Sequence, residues 1–101
     1  MPMEKPSKKN PQEILEQKFT IGSKLGLHAR PASLFVQMTN RYKSKIRVIK
    51  DDFEVDGKSI MGLLMLAAPM GTILKVIVDG EDEQKLVESL KALFSNKFGE
   101  S

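Results

Sequence analysis

Bulky apolar residues recur along this chain with two alternating periods, and the alternation predicts its elements. Lys18 to Ile21 forms a short strand candidate ended by Gly22, and Leu25 to His28 forms a loop around Gly26. From Ala29 to about Tyr42, Leu34, Phe35, Met38 and Tyr42 recur at the three-and-four spacing of one helical face. Pro31 falls in the first turn of that helix, where a missing N–H costs nothing. Ile46, Val48 and Ile49, flanked by Lys45 and Arg47, read as a strand with one wet face, and Phe53 to Val55 after Asp51-Asp52 as its hairpin partner. Ser59 opens a second, shorter helix through Ile60, Met61, Leu63, Leu64 and Leu66, stopped by Pro69 and Gly71.

Ile73 to Val78 is rich in β-branched residues, the mark of a buried central strand. After the Asp79-Gly80 turn, Glu81, Asp82 and Glu83 begin a helix whose stripe is Leu86, Val87, Leu90, Leu93 and Phe94. Lys91 and Lys97 follow where the macrodipole favours cations, and Gly99 suits a C-terminal cap. The order β-α-β-β-α-β-α with four short strands predicts an α+β domain, a four-stranded antiparallel sheet with three helices on one face.

Residues 1–17 stand apart. Pro2, Pro6 and Pro11 are mixed there with Ser, Asn and Lys, and only Ile14 and Leu15 are bulky and apolar besides methionine, so a flexible extension is expected ahead of a domain over 18–98 and a tail at 99–101. No apolar run fits a signal peptide or approaches the roughly 20 residues of a membrane span, which predicts a cytoplasmic protein without membrane insertion.

Composition narrows the chemistry. The 101 residues contain no cysteine and one histidine, His28. Disulfides, thiolate metal sites, iron-sulfur clusters and a cysteine nucleophile are excluded, and two-histidine metal motifs with them. No cofactor or metal is expected. The net charge of +3 lies wholly in residues 17–101, with a basic stretch from Arg41 to Lys50 answered by Asp79, Glu81, Asp82 and Glu83. Only Tyr42 and Phe53 supply aromatics near the basic stretch, too few for a nucleic-acid stacking platform, so no nucleic-acid partner is expected.

The remaining chemistry converges on Gly26-Leu27-His28-Ala29-Arg30-Pro31-Ala32. A histidine at a helix start lies beside unbonded N–H groups and the positive dipole end, which favour an anion. Arg30 adds a guanidinium able to hold phosphate oxygens through more than one N–H. With an ordinary imidazole pKa of about 6.5, a neutral nucleophile is available near neutral pH. Phosphohistidine formation is the specific implication, against the common role of such a histidine as a cap or surface residue. Ser59, directly before an apolar helix, is first of all an N-cap.

The run LGLHARPAS, then DGKSIMGLLMLAA, then GEDEQKLVESLKAL, in that order over residues 17–97, resembles the HPr family of phosphocarriers of the bacterial phosphoenolpyruvate-dependent phosphotransferase system. The resemblance implies an open-faced β-sandwich. It also implies that His28 takes a phosphoryl group on Nδ1 from phosphorylated Enzyme I and passes it to the IIA domains of sugar permeases, with Arg30 neutralising the group in transfer. Ser59 matches the serine that HPr kinase/phosphorylase modifies in many bacteria, and Ile60, Met61 and Leu64 fall on the helix that docks partners. The same resemblance admits a regulatory or nitrogen-branch paralogue acting mainly by binding a transcription regulator or other protein. A monomer is expected, its basic charge steering acidic partners into transient complexes.

Overall fold

The computed structural model describes residues 15–99. Their elements are β1 (Leu15–Thr20), α1 (Ala29–Thr39), β2 (Lys45–Lys50), β3 (Phe53–Asp56), α2 (Ile60–Met65), β4 (Ile73–Asp79) and α3 (Glu83–Ser95), closed by a 3-10 turn at Lys97–Gly99. The strands form one antiparallel sheet in the order β1-β4-β2-β3. β4 is therefore central, as its β-branched composition predicted.

Pairing and burial agree on which face is covered. Phe19 lies opposite Leu74, Ile46 opposite Val78 and Val48 opposite both Val76 and Val55, and all of these are buried. Between them Lys18, Lys45, Arg47 and Glu54 point to the opposite, solvent side and are exposed. The strict period of two makes this an open-faced sandwich, with the helices on one side and water on the other. Arg47 and Glu54 pair on the wet face at 3.3 Å.

The helices close over the inner face with Ala32, Phe35, Leu63, Leu86, Leu90 and Phe94, joined by Leu27 from the loop before α1. Burying each such Leu or Phe contributes roughly 1.5–3 kcal/mol. Four aromatics anchor one end: Phe94 stacks on Phe19 at 4.4 Å and meets Phe35 and Phe98 edge-on at 6.1 and 4.9 Å.

Several boundaries move. β1 starts at Leu15, three residues before the predicted Lys18, so Leu15 to Gln17 are strand and not extension. Gln17 pairs with Val76 and hides an alternation that runs Leu15, Gln17, Phe19. The remainder of the predicted extension lies outside the described residues, as do residues 100–101 of the predicted tail. α1 ends at Thr39, short of Tyr42. The Thr39 hydroxyl lies within hydrogen-bonding distance of the Gly57 carbonyl at 2.8 Å, and Asn40 Nδ2 turns back to the Val36 carbonyl. Tyr42 still packs on the core from beyond the helix, its hydroxyl 2.6 Å from Ser89 Oγ, which is why periodicity could not see the exit.

α3 begins at Glu83, with Asp82 as N-cap, and not at Glu81. The Asp82 carboxylate accepts the Lys43 and Ser44 amides at 2.8 and 2.9 Å and the Ser44 hydroxyl, tying the β2 approach to the start of α3. The Ser44 hydroxyl and then the Lys43 amide hold its pKa well below the ordinary carboxylate value, down to about 2. Gly99 is not the cap of α3. Asn96 holds that position, and Lys97 and Phe98 take left-handed conformations that fold the Phe98 ring into the core.

Candidate functional site

The loop from Gly22 to His28 is wound tightly before α1. Ser23 Oγ donates to the Gly26 carbonyl at 2.8 Å, the Gly26 amide returns to the Ser23 carbonyl at 3.0 Å, and the His28 amide reaches the Gly26 carbonyl at 2.9 Å. Gly26 has φ +75°, and a β-carbon there would stand 2.8 Å from Pro69 Cα and closer still to the Ala68 carbonyl oxygen. Only glycine meets both demands. Leu27 alone in this stretch turns its side chain into the core, and its amide donates to the Ala68 carbonyl at 2.8 Å. The histidine loop is thereby fastened to the segment that follows α2.

His28 is the N-cap of α1 with extended backbone, φ −87° and ψ −169°, and its side chain does not cap the helix. Its carbonyl accepts the Ala32 amide at 3.0 Å, the first intrahelical bond. The amides of Ala29 and Arg30 therefore belong to the first turn, which has no carbonyl behind it to accept them, and Pro31 has no N–H to offer. The imidazole is half-buried, with Nε2 enclosed by protein. Arg30 is exposed on the same turn. His28 and Arg30 thus both lie at the start of α1, His28 at the N-cap and Arg30 in the first turn.

Ser59 is the N-cap of α2: its hydroxyl accepts the Gly62 amide at 3.0 Å, while its carbonyl accepts the Leu63 amide. The six residues of α2 split by face. Leu63 is fully buried, whereas Ile60, Met61 and Leu64 are exposed, Met61 most of all at 69%. Leu64 joins His28, Leu25, Leu27, Ala67, Ala68 and Pro69 around a shallow hollow of about 350 Å³. α1 and α2 pack together and His28 and Leu64 line the same hollow, so the start of α1 and the predicted docking helix share one surface.

Sequence reasoning missed part of this surface. Leu25 is 77% exposed at the rim of the hollow, and Met65 is 61% exposed beside Leu64. An apolar Leu between Lys24 and Gly26, in a loop with no period to bury it, was the available signal for the first. Helical spacing placed Met65 one turn after Met61.

Residues 15–96 match the family model described as the PTS HPr component phosphorylation site. The chain belongs to the HPr family. It is 46% identical over 87 residues to the phosphocarrier protein HPr of Neisseria meningitidis, covering 86% of this chain and 98% of that protein. It is also 48% identical over 79 residues to the HPr-like protein Crh of Bacillus subtilis, the catabolite repression HPr, covering 78% and 93%. The crystal structure of HPr from Thermoanaerobacter tengcongensis superposes with a TM-score of 0.83 at 42% identity, over 86% of this chain and 98% of that one. This HPr-family chain shares their open-faced sandwich and the phosphocarrier class, and among its described residues no helix is long and apolar enough to cross a membrane.

Proposed function

We propose that this chain carries phosphoryl groups from phosphorylated Enzyme I to IIA domains, with His28 Nδ1 as the accepting atom. The observation that carries the reading is the position of His28 as N-cap, where an attached phosphoryl group meets the first-turn amides of Ala29 and Arg30 and the Arg30 guanidinium. Nε2 is enclosed by protein, which supports assigning attack to Nδ1 in this reading. The Nδ1 lone pair forms the new P–N bond as the bond from phosphorus to the donor breaks, and the reverse exchange delivers the group to the acceptor. Arg30 offsets phosphoryl charge in both directions.

No deep pocket is required, because donor and acceptor enzymes enclose the group when they dock. Ile60, Met61 and Leu64 form the apolar part of that docking face, and the exchange takes place in the cytoplasm. Ser59 is the regulatory position: a phosphate there, placed by an ATP-dependent HPr kinase, puts negative charge on the docking face without unfolding its helix. Incubation with phosphoenolpyruvate and Enzyme I is expected to add one acid-labile phosphoryl mass to the wild type and none to His28→Ala. An unmodified wild type rules the reading out.

A second reading is favoured by the 48% identity to Crh. In it the main output is a Ser59-phosphorylated complex with a transcription regulator or other effector. An acid-stable phosphate added by ATP and HPr kinase, absent in Ser59→Ala, together with no transfer at His28, selects it.

A further inference from the structure

We infer that the thioethers of Met61 and Met65 are an oxidation site through which hydroperoxides switch off the docking face of α2. This rests on the phosphocarrier reading of that face. Met61 and Met65 are one helical turn apart, so their side chains share a face, and both stand well into solvent at 69% and 61% exposure. Met38 differs, being half-buried against the core. Met70, beyond the helix, is also exposed at 58%, so peroxide reaches it along with the two α2 sulfurs and Met38 last. The Met61→Leu/Met65→Leu double variant separates the α2 pair from Met70.

The sulfur lone pair attacks one peroxide oxygen, the O–O bond breaks and an S–O bond forms. The proton on the attacked oxygen passes to the other, which leaves as water from hydrogen peroxide or as an alcohol from an organic hydroperoxide. The thioether is oxidised to a sulfoxide and the peroxide is reduced. α2 survives the change, because it is held from its other side by buried Leu63 and Leu66 and by the Ser59 cap. What changes is the face itself. Two apolar, adaptable side chains beside Ile60 and Leu64 become polar S=O groups that a partner must desolvate without compensating bonds. Unlike a phosphate on Ser59, the modification needs no kinase, and a thiol-dependent methionine sulfoxide reductase reverses it.

The full chain is treated with graded hydrogen peroxide, mapped by peptide mass, and assayed for phosphorylation by phosphoenolpyruvate and Enzyme I. Met61 and Met65 are expected to gain oxygen before Met38, with near-ultraviolet circular dichroism unchanged. The KM for this chain as substrate should rise about tenfold, the scale of losing a central interface side chain, with kcat little altered. Sulfoxide reductase should restore it. The Met61→Leu/Met65→Leu double variant, each preparation compared with its own unoxidised form, should show no such rise. Equal KM before and after oxidation, or an equal rise in the double variant, overturns the inference while leaving the carrier reading intact. A reduced wild type that is never phosphorylated removes both.

Discussion

The amide of Leu27 and the carbonyl of Ala68 are joined by a 2.8 Å hydrogen bond that fixes the histidine loop against the segment after α2. Ile21 reinforces it from one turn earlier, exchanging backbone bonds with Gly71 and Thr72, each at 2.8 Å. The orientation of His28 is therefore set from two sides, by its own helix and by a loop 40 residues away in sequence.

Gly26→Ala tests that clamp. The substitution puts a β-carbon against Ala68 and Pro69 and strains a residue at φ +75°. Overpacking and left-handed strain together should cost about 3 kcal/mol. The urea midpoint should fall accordingly. Under conditions where the variant remains folded, transfer to His28 should be slowed too, because relief of the clash requires the Ala68 segment to move.

Ala67 is the opposite case. It holds φ +49°, a left-handed conformation that costs an L-residue roughly 1–2 kcal/mol. The Lys50 ammonium bridges the Leu66 and Ala67 carbonyls at 3.1 and 3.4 Å and helps hold the bend. Ala67→Gly removes the strain but adds unfolded-state freedom, so a net gain of about 0.5–1 kcal/mol is expected. A urea midpoint that rises with an unchanged m-value confirms it, and a fall shows that the strain is already relaxed.

These two residues mark where the sequence was legible and where it was not. Strands and helices follow from periodicity because burial of Val48, Val76, Leu86 and Leu90 repeats with the element. His28 and Arg30 could be placed because Pro31 and the following apolar spacing locate a helix start. The left-handed bend at Ala67 has no such signature, since alanine ordinarily reads as helix. The same blindness hid Phe98, which turns back into the core after α3 through two left-handed residues. Leu25 was hidden for a different reason: exposure of an apolar residue is set by what packs around it, and pattern shows only what one element does.

Asp82 gives a pH dependence. Its folded pKa of about 2 lies below the ordinary 3.8, so the unfolded chain binds the proton more readily. Stability from this carboxylate is full above the unfolded value and is lost as pH falls from about 4 through 2. Thermal midpoints of wild type should drop across that window. Asp82→Ala should be less stable at neutral pH and lose less stability across the same window, because the Lys43 and Ser44 amides have already lost their acceptor.

Ser59 separates a structural role from a regulatory one. Its hydroxyl caps α2 through the Gly62 amide, and removal of such a cap costs about 1 kcal/mol. Ser59→Ala should therefore lower the unfolding free energy by that amount, read as a fall in the urea midpoint, yet leave α2 largely in place, since Leu63 and Leu66 bury its inner side. Ser59→Asp behaves differently on each measure. Aspartate is also a good N-cap, and its charge suits the helix start, so stability should stay near wild type. The same charge sits beside Ile60 and Met61, where it opposes an acidic partner and must be desolvated when the face is covered. The KM for phosphorylation by Enzyme I should rise for Ser59→Asp but not for Ser59→Ala. If both variants raise KM equally, loss of the serine hydroxyl itself is responsible, and charge at Ser59 has no separate control over docking.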